Sequence, residues 1–409
     1  MRPPTVLFQV TAIGKHPRAL EATARSVLYW LRHTPRLGFR YRIWLVVEPE
    51  GYWTSPEVYA ALEREGAELF VVPPDYRTPL GTKGKARALE YASEQRRRLG
   101  LSVPWLWVYH QDEETCVGQD TLTGISEFVR EGRALVGAGI ILYPLDWMGS
   151  PSHVQELTRS YDDLRVLDSM TKPGNPTAGF HGSHFLVRAD VEDSVGWDSE
   201  GYSPSEDLTF EIRVRARYGP VFGVLKGFAY EKGAFRLRDQ LRQRRRWMHG
   251  VVHAIVHSHE LPLRRRLTVA YSALSWASAL PSVAVLLASV VLRYGPLLIV
   301  TSVFTGFIWT SMVLAYLEGN RLHARYVTRR ISLPRFVANG LVGALIDVIA
   351  PWYAFVTRPT LADFIPKDRP APSPGRSRGT PSPGGQLGRA LGRGAAQGRR
   401  AGVLGRSGG

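Results

Sequence analysis

From residue 5 to residue 130 the chain alternates between apolar runs of strand length and stretches with helical spacing, and few folds accommodate that rhythm. The runs TVLFQVTAI (5–13) and IWLVVE (43–48) are rich in β-branched residues. Between them, from Leu20 to Leu31, apolar side chains recur at three- and four-residue steps. A strand, a helix and a second strand predict a parallel pair joined by a right-handed crossover. The rhythm continues with a helix over 56–65, a strand over 68–72, a helix over 84–98, a strand over 105–109 and a helix near 120–130. The expected fold class is α/β, a doubly wound and mostly parallel sheet that takes its ligands at the carboxyl ends of the strands.

After residue 260 the character changes. Residues 267–292 and 296–317 carry no charge and are long enough to cross a bilayer. A third stretch, 336–357, is apolar apart from Asn339 and Asp347. Two adjacent charge-free runs of this length read as membrane spans rather than as buried core helices. Arg264, Arg265 and Arg266 precede the first run, and Arg321, Arg325, Arg329, Arg330 and Arg335 follow the second, so both flanks are expected on the cytoplasmic side. The chain is thus expected in the cell membrane, multi-pass, with its catalytic part in the cytoplasm. The opening MRPPTVLFQVTAIG has no long apolar core behind a basic start, so no cleavable leader is expected.

The formal net charge of +16 would suit a polyanionic partner, but its placement matters. From Lys367 onward nine Lys/Arg stand against one acid, Asp368, so 9 − 1 = 8 charges, half the total, lie in the tail. Residues 359–409 are rich in Pro, Gly and Arg and predict a disordered basic tail, which by the charge rule also belongs inside. That leaves the third apolar stretch to be re-entrant or interfacial. Much of the remaining charge flanks the apolar runs and no nucleic-acid-binding motif is present, so nucleic acid is not an expected partner. The single cysteine, Cys116, precludes an intrachain disulfide and reads as a small buried side chain. The expected division is a catalytic domain over 1–235, an amphipathic interfacial helix over 236–262, a membrane region with two or three apolar helices over 263–358, and the tail.

Three clusters carry chemistry. In WLWVYHQDEET (105–115) an apolar strand ends in Asp112, Glu113 and Glu114. Acids one residue apart at a strand end point the same way, and Mg²⁺ or Mn²⁺ prefers such oxygen ligands. An isolated trio of acids is more commonly a solvated turn; the company of the other two clusters alters that reading. In SPSEDLTFEIRV (203–214) Glu206 and Asp207 precede a helix. They fit helix capping and equally a general base that deprotonates an acceptor hydroxyl. In QLRQRRRWMHG (240–250) arginines flank Trp247 ahead of the apolar region, as in a helix at a membrane surface. Gln243, Arg246 and Trp247 also form Q-x-x-R-W, where arginine can hold pyrophosphate and tryptophan offers an apolar platform to an acceptor sugar. By contrast, His249, His253, His257 and His259 read as a polar interfacial face, and Tyr161-Asp162-Asp163 as a solvated helical face.

These elements, in this order, resemble the family-2 glycosyltransferases, the inverting group that includes cellulose and hyaluronan synthases, over roughly residues 5–260. More locally the chain resembles the egghead-type β-1,4-mannosyltransferases. The matching pieces are Lys85-Ala86-Arg87-Ala88-Leu89, Asp112-Glu113-Glu114-Thr115, Gly182-Ser183-His184, Glu206-Asp207, Tyr230-Glu231-Lys232 and Gln243-Arg244-Arg245-Arg246-Trp247. The resemblance implies a GT-A fold and a role for each position. Asp112 and Glu114 take the place of the metal-binding acid pair, with Asp112 near the donor, and Asp207 beside Glu206 takes that of the catalytic base. Glu48, Lys83, Lys85 and Arg87 fall near the donor, as do Gln243, Arg246 and Trp247. Gly182, Ser183 and His184 form a loop facing the acceptor, which Trp247 also meets. Glu48 and Glu114 stand where family members commonly have aspartate. The implied reaction is metal-dependent transfer of one hexose, mannose from GDP-mannose ahead of glucose from UDP-glucose, to a lipid-linked or glycolipid acceptor. A processive polysaccharide synthase needs more helices to line a channel; the rival from another class is a non-catalytic membrane scaffold.

Overall fold

The computed structural model describes residues 3–144, 152–172, 181–202, 204–257, 263–293, 295–327 and 331–357. The tail over 359–409, Arg329, Arg330 and His259 lie outside the described residues. The strands are β1 (Thr5–Ala12), β2 (Arg40–Val47), β3 (Glu68–Val71), β4 (Leu106–Asp112), β5 (Cys116–Val117), β6 (Val136–Leu142), β7 (Phe185–Arg188) and β8 (Phe222–Tyr230). They form one sheet in the order β3-β2-β1-β4-β7-β6-β8-β5. The pairs β1–β2, β2–β3, β1–β4 and β6–β8 are parallel. The short β7 runs antiparallel between β4 and β6, and β5 antiparallel to β8. The expected doubly wound, mostly parallel sheet is therefore present, with β7 inserted and β5 added at the edge antiparallel to their neighbours.

The helices of this part are α1 (Pro17–His33), α2 (Pro49–Thr54), α3 (Pro56–Arg64), α4 (Lys85–Arg98), α5 (Gln119–Glu131), α6 (His153–Met170), α7 (Ala189–Val195) and α8 (Glu206–Tyr218). Strand side chains alternate between faces. Val6, Phe8 and Val10 accordingly meet α1, α3 and α5 on one side, while Leu7, Trp44 and Val108 meet α4, α6, α7 and α8 on the other. Arg96 is wholly buried on that second side. Its guanidinium reaches Gln9 and Ser93 at 2.7 Å, Glu192 at 2.8 Å and Asp193 at 2.6 Å. Pinned to β1 and α7 in this way, α4 fixes where its first residue, Lys85, stands. Strand order reverses at β1 and β4, and their carboxyl ends form the crevice where a ligand enters such a sheet.

The remaining helices are α9 (Leu237–His257), α10 (Leu263–Ala277), α11 (Ala279–Val291), α12 (Gly295–Tyr326) and α13 (Leu333–Val356). By length and composition α12 and α13 can cross a membrane, with mean hydropathy of 2.0 and 1.5. The single span expected over 267–292 is instead a pair, α10 and α11, bent by 52°. Pro281 explains the break: it has no N–H to donate, and its ring conflicts with the carbonyl four residues back, at Ala277, where α10 ends. Asp347 of α13 turns inward, 3.1 Å from Arg244 and 2.7 Å from Gln155. The inner end of α12 docks on the sheet domain. There His323 Nδ1 donates to the Gly319 carbonyl (2.7 Å) and Nε2 accepts from the Tyr143 amide (2.9 Å).

Candidate active site

β4 runs three residues beyond its expected end, so Asp112 is held by the sheet itself and Glu113 and Glu114 follow in a turn closed by Thr115 N–H on the Asp112 carbonyl (3.1 Å). Glu113 leaves the trio. Its carboxylate meets His16 Nδ1 at 2.5 Å, at the start of α1. Around these strand ends lies a cleft enclosing about 1050 Å³, part of it open to solvent. Ten of the sequence-predicted residues line it: Lys85, Asp112, Glu114, Gly182, Ser183, Glu206, Asp207, Gln243, Arg246 and Trp247.

Lys85 organises the centre. Its ammonium forms an ion pair with Asp112, lies 3.5 Å from Glu206 and donates to the Gly182 carbonyl at 2.8 Å. Burial alone would pull its pKa down, but Asp112 and Glu206 outweigh burial and hold it above the usual lysine range. Burial pushes the Asp112 carboxyl up to about 7 against the pull of Lys85, with Glu114 and Glu231 adding to the rise. Glu206 is likewise raised by burial and opposed by Lys85. Asp207 opens α8 beside it; one carboxylate oxygen accepts the Leu208 amide (2.8 Å) and the other faces Gly182.

The far wall is α9, which the sequence reads as lying on a membrane surface. It packs between α8 and α13, with Gln243, Arg244 and Arg245 buried. Gly250 permits the approach to α8, because a Cβ there would lie 1.9 Å from Ser205 Oγ. The Trp247 ring lies beneath two guanidiniums, Arg244 at 4.4 Å and Arg159 at 4.7 Å.

Four predicted residues do not line the cleft. Glu48 starts α2 and pairs with Arg87 at 2.9 Å; burial pushes its carboxyl up to about 7 against Arg87. Lys83 is exposed on the loop before α4, its amide bound to the Gly201 carbonyl at 3.0 Å. His184, expected to face the acceptor, points into the domain instead. It is wholly buried, hydrogen-bonded to the Tyr109 hydroxyl at 2.7 Å, and burial pushes its pKa down to about 4. Gly182 and Ser183 are the part of that loop which reaches the cleft.

Sequence reasoning gave no role to three lining groups, although Glu231 stands in one of the matching pieces. Glu231, 2 % exposed, accepts from Thr115 Oγ1 (2.6 Å) and Ser183 Oγ (2.5 Å), joining the acidic turn to the 182–183 loop. Its signal was available, an acid just where the apolar strand β8 stops, as at Asp112. His181 forms an ion pair with Asp163, whose other oxygen accepts the Ile141 amide at 2.8 Å. Asp163 is therefore buried, and the solvated face expected at 161–163 is corrected at that residue. Arg159 completes the set. The histidines of α9 bind neighbours: His249 meets the Thr357 carbonyl, His253 the Glu200 carbonyl and His257 the Glu200 carboxylate.

Among the described residues no three His, Cys, Asp or Glu converge on a ready-made metal cage. The donor set, Asp112 and Glu114 with carboxylate oxygens, fits a hard cation that brings its other ligands with it, as Mg²⁺ and Mn²⁺ do when bound with phosphates and water.

Residues 107–318, 212 of the 409, match the family described as Glycosyl transferase family group 2. Over 217 residues the chain is 33% identical to Beta-1,4-mannosyltransferase egh of Drosophila melanogaster, covering 51% of this chain and 45% of that protein. It is 34% identical to Beta-1,4-mannosyltransferase bre-3 of Caenorhabditis elegans, over 51% of this chain and 46% of that one. The matches thus span about half the length of these curated relatives. Among solved structures it is similar to the mannosyltransferase PcManGT of Pyrobaculum calidifontis, solved with GDP-Man and Mn²⁺: 16% identity, TM-score 0.43, 79% of this chain and 87% of that one.

Proposed function

The chain belongs to Glycosyl transferase family group 2 and is a glycosyltransferase; from that premise we propose a membrane-bound, inverting enzyme that moves one mannose from GDP-mannose to a lipid-linked or glycolipid acceptor. The observation that carries the reading is the meeting of Lys85, Asp112, Asp207 and Arg246 in one cleft. An inverting transfer needs one displacement at the anomeric carbon. Asp207 takes the proton of the acceptor hydroxyl as that oxygen attacks, and the bond from the sugar to the donor phosphate breaks with its electron pair leaving on the nucleoside diphosphate. Lys85 and Arg246 hold positive charge where the negative charge of the leaving group grows. Mg²⁺ or Mn²⁺, held by Asp112 and Glu114, would neutralise the diphosphate. Glu206 keeps Lys85 in place from the other side, and Gly182 and Ser183 border the acceptor.

Mannose is supported by the relatives being β-1,4-mannosyltransferases. A membrane acceptor is supported by α12 and α13 and by the cleft wall, α9, being packed directly on α13. Arg321, Arg325 and Arg335 support a cytoplasmic catalytic side, where nucleotide sugars are available.

The test is a donor screen on the detergent-solubilised full chain with GDP-mannose, UDP-glucose, UDP-galactose and UDP-N-acetylglucosamine, in Mn²⁺ or EDTA. GDP-mannose should be consumed, and EDTA or Asp112→Ala should stop it. Asp207→Asn should lower turnover by ~10²–10⁴-fold while still binding donor in calorimetry. Consumption of UDP-glucose alone would replace mannose, EDTA-resistant turnover would remove the metal, and an active Asp207→Asn would remove Asp207 as base.

A further inference from the structure

A carboxylate inside an apolar helix needs a reason, since it is costly unless paired. Asp347 is that residue in α13. Its side chain is 16% exposed and forms an ion pair with Arg244 at 3.1 Å, while Gln155 Nε2 donates to it at 2.7 Å. Its backbone carbonyl accepts the Trp276 indole N–H at 2.9 Å. One position of α13 is thereby tied to α9, α6 and α10.

Stability alone does not explain the arrangement, because a buried ion pair seldom stabilises more than a well-packed apolar pair would. What it does accomplish lies one residue turn further on. Arg244 carries its guanidinium over the Trp247 ring, and Arg159 of α6 carries a second one over the same ring. Two like charges on one indole repel, and each is held by its own acid, Arg244 by Asp347 and Arg159 by Glu156 at 3.3 Å. We propose that Asp347 is a positioning residue: acting through Arg244, it fixes the Trp247 ring at the cleft, so the acceptor side of the site is complete only with α13 docked on α9. This rests on the proposed function for its meaning in catalysis, and on geometry alone for the clamp itself.

The full chain labelled with 5-fluorotryptophan tests it by fluorine NMR in detergent. The sequence has eleven tryptophans, and the Trp247 signal is the one lost in Trp247→Phe. Asp347→Asn should shift or broaden that signal while leaving the signal of Trp44, wholly buried in the sheet, where it was. Asp347→Glu should restore it. Turnover of GDP-mannose should fall about 10-fold or more in Asp347→Asn, because a small misplacement of a positioning group is costly, with donor affinity by calorimetry unchanged. The pair Asp347→Leu with Arg244→Met, which leaves no unpaired charge to unfold the chain, should also displace the ring. A Trp247 signal unmoved in Asp347→Asn, or a Trp44 signal that moves equally, overturns the clamp. A wild type that consumes no GDP-mannose counts against the donor assignment, while the fluorine signals still decide the clamp.

Discussion

Adding one methyl group at Gly182 should separate catalysis from stability. A Cβ built there lies 2.8 Å from Lys85 Nζ, 3.3 Å from Asp207 Oδ2 and 3.4 Å from Glu206 Oε1. Ordinary contact begins at 3.4 Å, so the ammonium must retreat by 3.4 − 2.8 = 0.6 Å while the two carboxylates hardly move. The atom displaced is the end of a flexible side chain, and the backbone at Gly182 is not left-handed, so the fold should accept Gly182→Ala. Loop glycine-to-alanine changes at compatible positions are even stabilising by about 0.4–1 kcal/mol. The displaced ammonium, however, is the one that touches Asp112, Glu206 and the Gly182 carbonyl together. Misplacement of about 1 Å can cost 10²-fold in rate, so a loss of ~10–10²-fold in turnover is expected at a near-constant thermal midpoint. Steady-state consumption of GDP-mannose beside thermal denaturation of the same samples measures both. Turnover like that of the wild type would show that Lys85 does not have to stand where it does, and a fall in the midpoint alone would show that the loop, not the ammonium, was disturbed.

Three further outcomes follow from buried groups. The folded carboxyl of Glu48 titrates at about 7, above its ordinary 4.5, so folding favours its protonated form. Its contribution is whole below pH 4.5 and is lost as pH rises to 7, so the thermal midpoint of the wild type should fall across that window relative to Glu48→Gln; parallel curves would refute this. Arg96→Met removes the cation that Glu192 and Asp193 share and should destabilise by about 3–5 kcal/mol in denaturant titration; a loss below about 1 kcal/mol would mean that their remaining partners, such as the Trp197 indole N–H and His110 at Glu192, suffice. Gly319→Leu puts a Cβ 2.1 Å from the Leu157 carbonyl, a backbone atom that cannot swing aside. It should cost about 1–3 kcal/mol or more by the same titration.

The sheet was legible in the sequence because its signals are local. β1, α1, α3 and α4 come within three residues of the stretches that periodicity marks, and most of the residues around Asp112 and Asp207 announce themselves by where they interrupt an apolar pattern. What escaped depends on partners far apart in the chain. Asp163 looks like any acid on a polar helix until the Ile141 amide and His181 are brought to it. His184 belongs to a motif whose first two members face the cleft, and its burial follows from Tyr109, 75 residues away. Asp347 counts against a membrane helix when read alone, and its charge is answered by Arg244, about a hundred residues earlier. The break at Pro281, by contrast, was written in the sequence, since a proline three residues into α11 cannot continue the helix before it.

The packing of α13 bears on how many times the chain crosses the membrane. Both α12 and α13 are long and apolar enough, but they meet the catalytic part differently. Only 6% of the apolar window of α12 is buried against 22% for α13. From Gly295 to Ala315 α12 offers 21 residues, about 31 Å at 1.5 Å per residue, which matches a hydrocarbon core of ~30 Å before Tyr316, Gly319 and His323 dock on the domain. α13 is held along its length: Gly343 and Asp347 at Gln155 and Arg244, Tyr353 at Arg245, and Thr357 at His249. A helix fastened lengthwise to the catalytic domain would lie along the membrane surface, where the exposed Leu341, Leu345, Trp352 and Phe355 would meet lipid. On that reading, which we propose, the bent pair α10–α11 and α12 would make two crossings, returning the chain to the side it left and placing the basic tail with the catalytic domain. Membrane-impermeant thiol labelling of Leu333→Cys and Val356→Cys in sealed vesicles checks this, since Cys116 is buried. Both positions should label from the side that also exposes the catalytic domain; labelling from opposite sides would make α13 a third crossing and put the tail outside.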